Sequence, residues 1–255
     1  MPGLESVAKS LAKFVIYRVR DLLLPASAAS AVILTYHSVS YEKNFITITP
    51  EEFEWQMEKI RSFGYRVISL AELEQMLDAG AVAPRTIVIT FDDGRKDNYQ
   101  YAFPVLKKFN MPATVFLATD YIGNSLPSSA GPIAALSEVE LREMHASGLI
   151  DFEPHTASHP NMKKLTAEEA ETEVRRSKER IEKLLGKICP YFAYPYGKFD
   201  EKAQKAVQAA GIRLAGATIH GTITAKSPRL ALPRNGIDTG IRKMHFRSIL
   251  AHGRI

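Results

Sequence analysis

The sequence predicts an α/β fold: a closed or nearly closed (β/α) barrel of about seven strands in a single domain, with an open doubly wound sheet as its competitor. Three observations carry this. Short apolar, β-branched runs alternate with helical patterns along most of the 255 residues. The runs 32–36, 86–91 and 113–118 are apolar almost throughout, as parallel strands buried on both faces must be. The glycine-rich phosphate-binding patterns G-x-G-x-x-G and G-x-x-x-x-G-K-[ST] do not occur.

Residues 1–30 stand apart. On a helical projection of 4–24, Leu4, Val7, Leu11, Phe14, Val15 and Leu22 share one face. Lys9, Lys13 and Arg20 lie opposite, and Arg18 intrudes on the apolar side. A basic amphipathic helix of this kind either lies on an anionic membrane or packs on its own domain. Lys13, Arg18, Arg20 and Asp21 interrupt every apolar core that a signal peptide would need. No run reaches the length of a membrane span. The compartment is left open, leaning to cytoplasmic or membrane-peripheral. Residues 25–30, P-A-S-A-A-S, read as the end of a linker, so the catalytic domain is expected at 31–255.

The elements then follow in order. Strands are expected at 32–36, 65–68, 86–91, 113–118, 149–154, 190–194, 212–217 and near 229–232. Helix starts carry capping-box spacing at Thr49/Glu52, Ser69/Glu72, Ser137/Glu140 and Thr166/Glu169. Gly64, Gly80, Gly148, Gly186 and Gly211 mark helix ends. Phe53, Met57 and Ile60 form one core stripe, and Ala170, Val174, Ile181 and Leu185 another. Residues 119–136 read as a loop.

Composition narrows the function. Hydrophobic residues make up 45% and charged residues 24%, ordinary globular usage. The net charge of +5 is diffuse and accompanies no recognisable nucleic-acid module, so no nucleic-acid partner is expected. The one cysteine, Cys189, excludes an internal disulfide and reads as a buried small hydrophobe rather than a catalytic thiol.

The chemistry sits at strand ends. The run 86–91 closes on Thr90-Phe91-Asp92-Asp93-Gly94. Adjacent carboxylates repel when both are ionised; a metal held by one relieves the conflict and leaves the other free as a base. Taken alone, D-D-G reads equally well as an acidic turn. After 149–154 comes His155-Thr156-Ala157-Ser158-His159, whose two histidines converge if the segment coils through one helical turn. Asp93, His155 and His159 then make a two-histidine, one-carboxylate set with room left for water and substrate.

T-F-D-D-G followed by H-T-A-S-H resembles the first two motifs of the polysaccharide deacetylase family (the NodB-homology domain, carbohydrate esterase family 4), over roughly residues 31–235. The resemblance implies a distorted barrel, usually of seven strands, and hydrolysis of the acyl amide of an N-acylated amino sugar. It implies Asp92 as general base and Asp93, His155 and His159 as ligands to a divalent metal, Zn2+ before Co2+ or Ni2+. The family's third motif, R-x-P-Y, reads here Ala193-Tyr194-Pro195-Tyr196-Gly197. The Tyr196 N–H is then the expected oxyanion donor, with Tyr194 and Pro195 in support. Ala193 replaces the arginine that would hold the base. Arg234, in Leu232-Pro233-Arg234, is the candidate substitute, against an ordinary surface salt bridge.

Two histidines compete for general acid. His252 fits the family's C-terminal L-x-H loosely and sits near a chain end, where fraying is common. His37 directly follows the first buried strand and is similar to the Y-H segment of the exopolysaccharide-deacetylase branch, in which the acid comes first. Absence of D-x-x-D-W agrees with that branch, and His37 is preferred over His252. His145, His220 and His245 read as structural or exposed. The expected activity is metal-dependent deacetylation of an amino sugar in a poly- or oligosaccharide. A lipid-linked amino-sugar deformylase, a related C–N hydrolase and a non-catalytic carbohydrate-binding protein are the alternatives.

Overall fold

The computed structural model describes residues 30–128, 131–241 and 243–253. The amphipathic segment 4–24 and the linker up to residue 29 lie outside these residues. Among the described residues, no helix is long and apolar enough to cross a membrane.

Nine short strands form the wall: β1 (Ala31–Tyr36), β2 (Arg66–Ile68), β3 (Thr86–Phe91), β4 (Ala113–Leu117), β5 (Ile150–Pro154), β6 (Tyr191–Ala193), β7 (Leu214–Ala217), β8 (Leu232–Pro233) and β9 (Asn235–Gly236). One six-stranded parallel sheet runs β9-β1-β3-β4-β5, with β2 flanking the start of β3. A three-stranded parallel sheet runs β6-β7-β8. Only Arg234 separates β8 from β9, so the two sheets continue into one another there. At β5 and β6 they meet without a shared ladder among the described residues. The result is a distorted barrel of seven staves: β1, β3, β4, β5, β6, β7 and the broken stave β8–β9. The last expected strand, near 229–232, falls later, because the chain pairs at Leu232–Pro233 and again at Asn235–Gly236.

The central ladder is in register along its length, from Ala31 opposite Thr86 to Tyr36 opposite Phe91. Both strands are buried on both faces, as their continuous apolar runs require. Helices α1 (Pro50–Ser62), α2 (Leu70–Asp78), α3 (Phe103–Phe109), α4 (Glu138–Ala146), α5 (Ala167–Leu185), α6 (Glu201–Ala209) and α7 (Lys243–His252) fill the crossovers. Ser69, Ser137 and Thr166 form complete capping boxes. Thr49 caps only one way, accepting from Glu52 N, and Pro50 follows it in the first turn. The expected stripe Phe53, Met57 and Ile60 is fully buried; each such side chain contributes about 1.5–3 kcal/mol. On α5 the stripe ends on Leu184, with Leu185 only partly buried. Cys189 is buried and unbridged, and burial pushes its thiol well above its ordinary range.

Candidate active site

The C-terminal ends of the parallel strands gather the polar residues that the sequence singled out, where barrel folds place their sites. Asp92 N donates to Tyr36 O (2.9 Å), extending the β1–β3 ladder to its last rung. Asp93 and Gly94 then turn left-handed, with φ of 74° and 73°. A Cβ at Gly94 would fall 2.4 Å from Leu117 Cδ2, so the sharp turn needs glycine for room as well as for torsion. Asp93 Oδ2 accepts from Arg95 Nε and Nη2 (both 3.2 Å). Its Oδ1 is left towards the histidines, 3.4 Å from His159 Nε2 and 4.0 Å from His155 Nε2.

His155 and His159 converge, but not through a helical turn. The segment after β5 is irregular, with Thr156 and His159 both left-handed (φ 67° and 60°). Thr156 Oγ1 accepts from His159 N (3.0 Å), and the two imidazole centroids lie 4.9 Å apart. Glu173 of α5 pins the loop: its carboxylate accepts from Ala157 N (2.9 Å), Ser158 N (2.8 Å) and Ser158 Oγ (2.9 Å). His155 Nδ1 donates to Ala193 O at 2.7 Å, across the seam between the sheets. That bond fixes the tautomer and leaves the Nε2 lone pair facing both carboxylates, 3.9 Å from Asp92 Oδ2 and 4.0 Å from Asp93 Oδ1. Burial pulls the His155 imidazole down to about 4, so it is neutral at physiological pH. The donor atoms of Asp93, His155 and His159 all lie within 4.8 Å of one another. A carboxylate and two imidazoles this close fit a first-row divalent cation with positions left open.

Asp92 is a different carboxylate. Arg234, 1% exposed, takes it in a bidentate grip, Nη1 to Oδ1 at 2.7 Å and Nη2 to Oδ2 at 2.9 Å. The surface salt-bridge reading of Arg234 is therefore overturned. The arginine reaches inward because Gly216 on β7 has no side chain; a Cβ there would meet Arg234 Cδ at 2.4 Å and Nε at 2.6 Å. Burial alone would raise the Asp92 carboxyl, but Arg234 and then His155 outweigh it and hold it far below its ordinary range. Asp93 is likewise lowered against burial, by His37, His159, His155 and Arg95. Both carboxylates are ionised and compensated.

His37 follows β1 directly, is partly exposed, and lies close enough to Asp93 and Asp92 to contribute to the lowering of both carboxyls. His252 lies elsewhere. It ends α7, and the next residue, Gly253, packs on the backbone of Gly221 and Thr222. That segment leads to Ile223, which pairs with Ala31 at the start of β1. Six residues of β1 put this about 17 Å from the site end. Tyr196 also turns left-handed (φ 59°), its exposed ring edge-on to His159 at 4.7 Å. Tyr194 is fully buried, its hydroxyl on Leu230 O (3.1 Å) and its ring stacked on Phe199, so it supports the turn without facing solvent. Pro195 is buried beside it.

Sequence reasoning missed Arg95, Glu173 and Gly216. A glycine inside a strand pattern was the available signal for Gly216. Glu173 lies in an ordinary polar helix face, and nothing local distinguishes it.

Comparison with known proteins agrees with this geometry. The family model described as polysaccharide deacetylase matches residues 79–215. A Bacillus subtilis (strain 168) protein assigned as a polysaccharide deacetylase, YxkH, is 32% identical over 219 residues, covering 86% of this chain and 75% of its own. The poly-beta-1,6-N-acetyl-D-glucosamine N-deacetylase of Staphylococcus epidermidis is 29% identical over 80% of this chain and 78% of its own. Among solved structures, the Streptococcus pyogenes deacetylase PplD in complex with acetate superposes with a TM-score of 0.76 at 25% identity, covering 88% of this chain and 99% of that one. IcaB from Ammonifex degensii shares the fold, with a TM-score of 0.77 at 23% identity over 89% and 98% of the two chains.

Proposed function

The chain belongs to the polysaccharide deacetylase family, and from that premise we propose that it hydrolyses the N-acetyl amide of N-acetylglucosamine units in a polysaccharide. The observation that carries this reading is the convergence of two adjacent carboxylates held in different ways: Asp92 gripped by Arg234, Asp93 3.4 Å from His159 Nε2, and His155 Nε2 about equally near both, at 3.9 and 4.0 Å. A cation held by Asp93, His155 and His159, zinc by preference and cobalt or nickel by the same donors, supplies Lewis acidity towards the acetyl carbonyl and lowers the pKa of water.

The chain's own residues do the rest. Asp92, kept ionised and aimed by Arg234, accepts a proton from the attacking water as its oxygen bonds to the acetyl carbon. The Tyr196 N–H donates to the oxyanion that forms. His37 delivers a proton to the nitrogen as the C–N bond breaks, releasing the free amine and acetate. Base and acid sit on different strands, so their environments are set independently.

The test is metal content together with acetate release from N-acetylglucosamine oligomers, on wild type and Asp92→Asn. One divalent ion per chain in both, with kcat about 10²–10⁴-fold lower in the variant, is expected. Full activity in Asp92→Asn, or acetate release unaffected by chelation, would overturn the reading.

A further inference from the structure

Three consecutive residues just beyond β1, two through their backbone and Ser38 through its hydroxyl, are gripped by Asp97 and Asn98 at the start of the helical turn that follows the carboxylates. Asn98 Nδ2 donates to His37 O (3.0 Å). Ser38 Oγ donates to Asp97 Oδ2 (2.7 Å), and Val39 N donates to Asp97 Oδ1 (3.3 Å). Asn98 Nδ2 also donates to Asp97 Oδ1 (2.8 Å), locking the two clamping residues together. Asn98 is 1% exposed, and among the described residues its Oδ1 meets no hydrogen-bond donor. The amide cannot be turned round to satisfy that oxygen, because Oδ1 would then face the His37 carbonyl and the Asp97 carboxylate, acceptor against acceptor. A buried asparagine that leaves one atom unsatisfied to hold one backbone carbonyl is a costly arrangement, so it points to a use for that bond.

We infer that Asp97 and Asn98 are positioning residues for the general acid, clamping the backbone that carries His37 to the loop that carries Asp92 and Asp93. The inference rests on the reading of His37 as the acid. Beyond Tyr36 the chain leaves the main sheet and pairs briefly in parallel, Ser38–Val39 with Thr47–Ile48. His37 itself lies between the two pairings, and its carbonyl is held by Asn98. The clamp joins acid and base through one loop: Asp92 hangs on Tyr36 O, and Asn98, six residues on, hangs on His37 O. A shift of about 1 Å between reacting groups can cost on the order of 10²-fold in rate.

A leaving-group comparison tests it. An amide nitrogen must be protonated to depart; a nitrophenolate need not be. Asn98→Ala, the milder Ser38→Ala, His37→Ala and wild type would be compared on N-acetylglucosamine oligomers and on 4-nitrophenyl acetate. For Asn98→Ala the expected result is a fall in kcat on the amide of about 10–100-fold, KM unchanged, and less than about threefold on the ester. Ser38→Ala should follow the same pattern with a smaller loss. Parallel loss on both substrates would reveal a merely structural role, and an unchanged amide rate would show that the clamp positions nothing; either overturns the inference. An unchanged amide rate in His37→Ala would instead sink the assignment of the acid, and the clamp's role with it.

Discussion

The two sheets of the barrel are joined in contrasting ways, and the site lies across both joints. From β9 through β1, β3 and β4 to β5, each strand hydrogen-bonds its neighbour through the backbone. At β5–β6 the bonds are made by side chains: His155 Nδ1 to Ala193 O (2.7 Å), and Tyr191 N to Glu153 Oε2 (3.1 Å). Lys187 reinforces the joint from below, donating to Glu153 Oε1 (2.7 Å) and Phe152 O (2.8 Å). The second joint, β8–β9, is a single residue, Arg234, whose N donates to Ala217 O and whose guanidinium reaches Asp92. The laddered sheet supplies His37, Asp92, Asp93 and His155. The other supplies Tyr196 and the Ala193 carbonyl that orients His155, and the joint itself supplies Arg234 on Asp92. Backbone ladders hold the reacting groups at fixed heights; the side-chain joints set direction and charge.

Breaking the Arg234 joint should have the largest effect. Arg234→Met leaves Asp92 buried, charged and unpaired, so stability in urea should fall by about 3–5 kcal/mol and kcat/KM by about 100-fold. A variant with wild-type stability would show that Asp92 finds another partner. Arg234→Lys should recover part of the stability without the bidentate aim.

At the β5–β6 joint the expected effect is smaller. Lys187 is 15% exposed and Glu153 fully buried. Burial raises the Glu153 carboxyl despite the ammonium beside it. Lys187→Met should therefore lower the melting temperature by roughly 4–8 °C, and adding Glu153→Gln should restore more than half of that, because the neutral amide needs no cation. A double variant no more stable than the single one would mean that the joint is held by packing alone.

An effect of comparable size belongs to the laddered half and is read as pH dependence. Burial pushes the Asp97 carboxyl up to about 6, against the lowering pull of Ser38 and Val39. A carboxyl raised on folding contributes stability that is complete below its unfolded pKa, near 4, and is lost as pH rises through 6. Urea stability should fall by on the order of 2–3 kcal/mol across that window, and Asp97→Asn should flatten the slope. An identical slope in the variant would assign the titration to another group.

The sequence revealed the laddered half better than the other. Its central strands β1, β3 and β4 are nearly continuous apolar runs, its helix starts carry capping boxes, and its site residues fall in two short motifs, so local pattern was enough for Asp92, Asp93, His155 and His159. The joints depend on contacts far apart in sequence. Arg234 and Asp92 are 142 residues apart, and Tyr191 and Glu153 are 38 apart. Neither separation leaves a periodicity to read. The glycine that admits Arg234 and the glutamate that holds the histidine loop are ordinary residues until the chain folds. The turn at Thr156–His159 was misjudged because four-residue spacing also suits a helix, and only the left-handed torsions distinguish the two.

Gly216 has a further consequence, for how substitutions at two positions combine. The space that Arg234 occupies exists only while position 216 lacks a side chain. A side chain at position 216 and an arginine reaching Asp92 from position 234 compete for the same volume. The two positions, eighteen residues apart, are therefore coupled: Ala at 216 should cost as much as losing the arginine, and should cost little once Arg234 is replaced by a smaller residue.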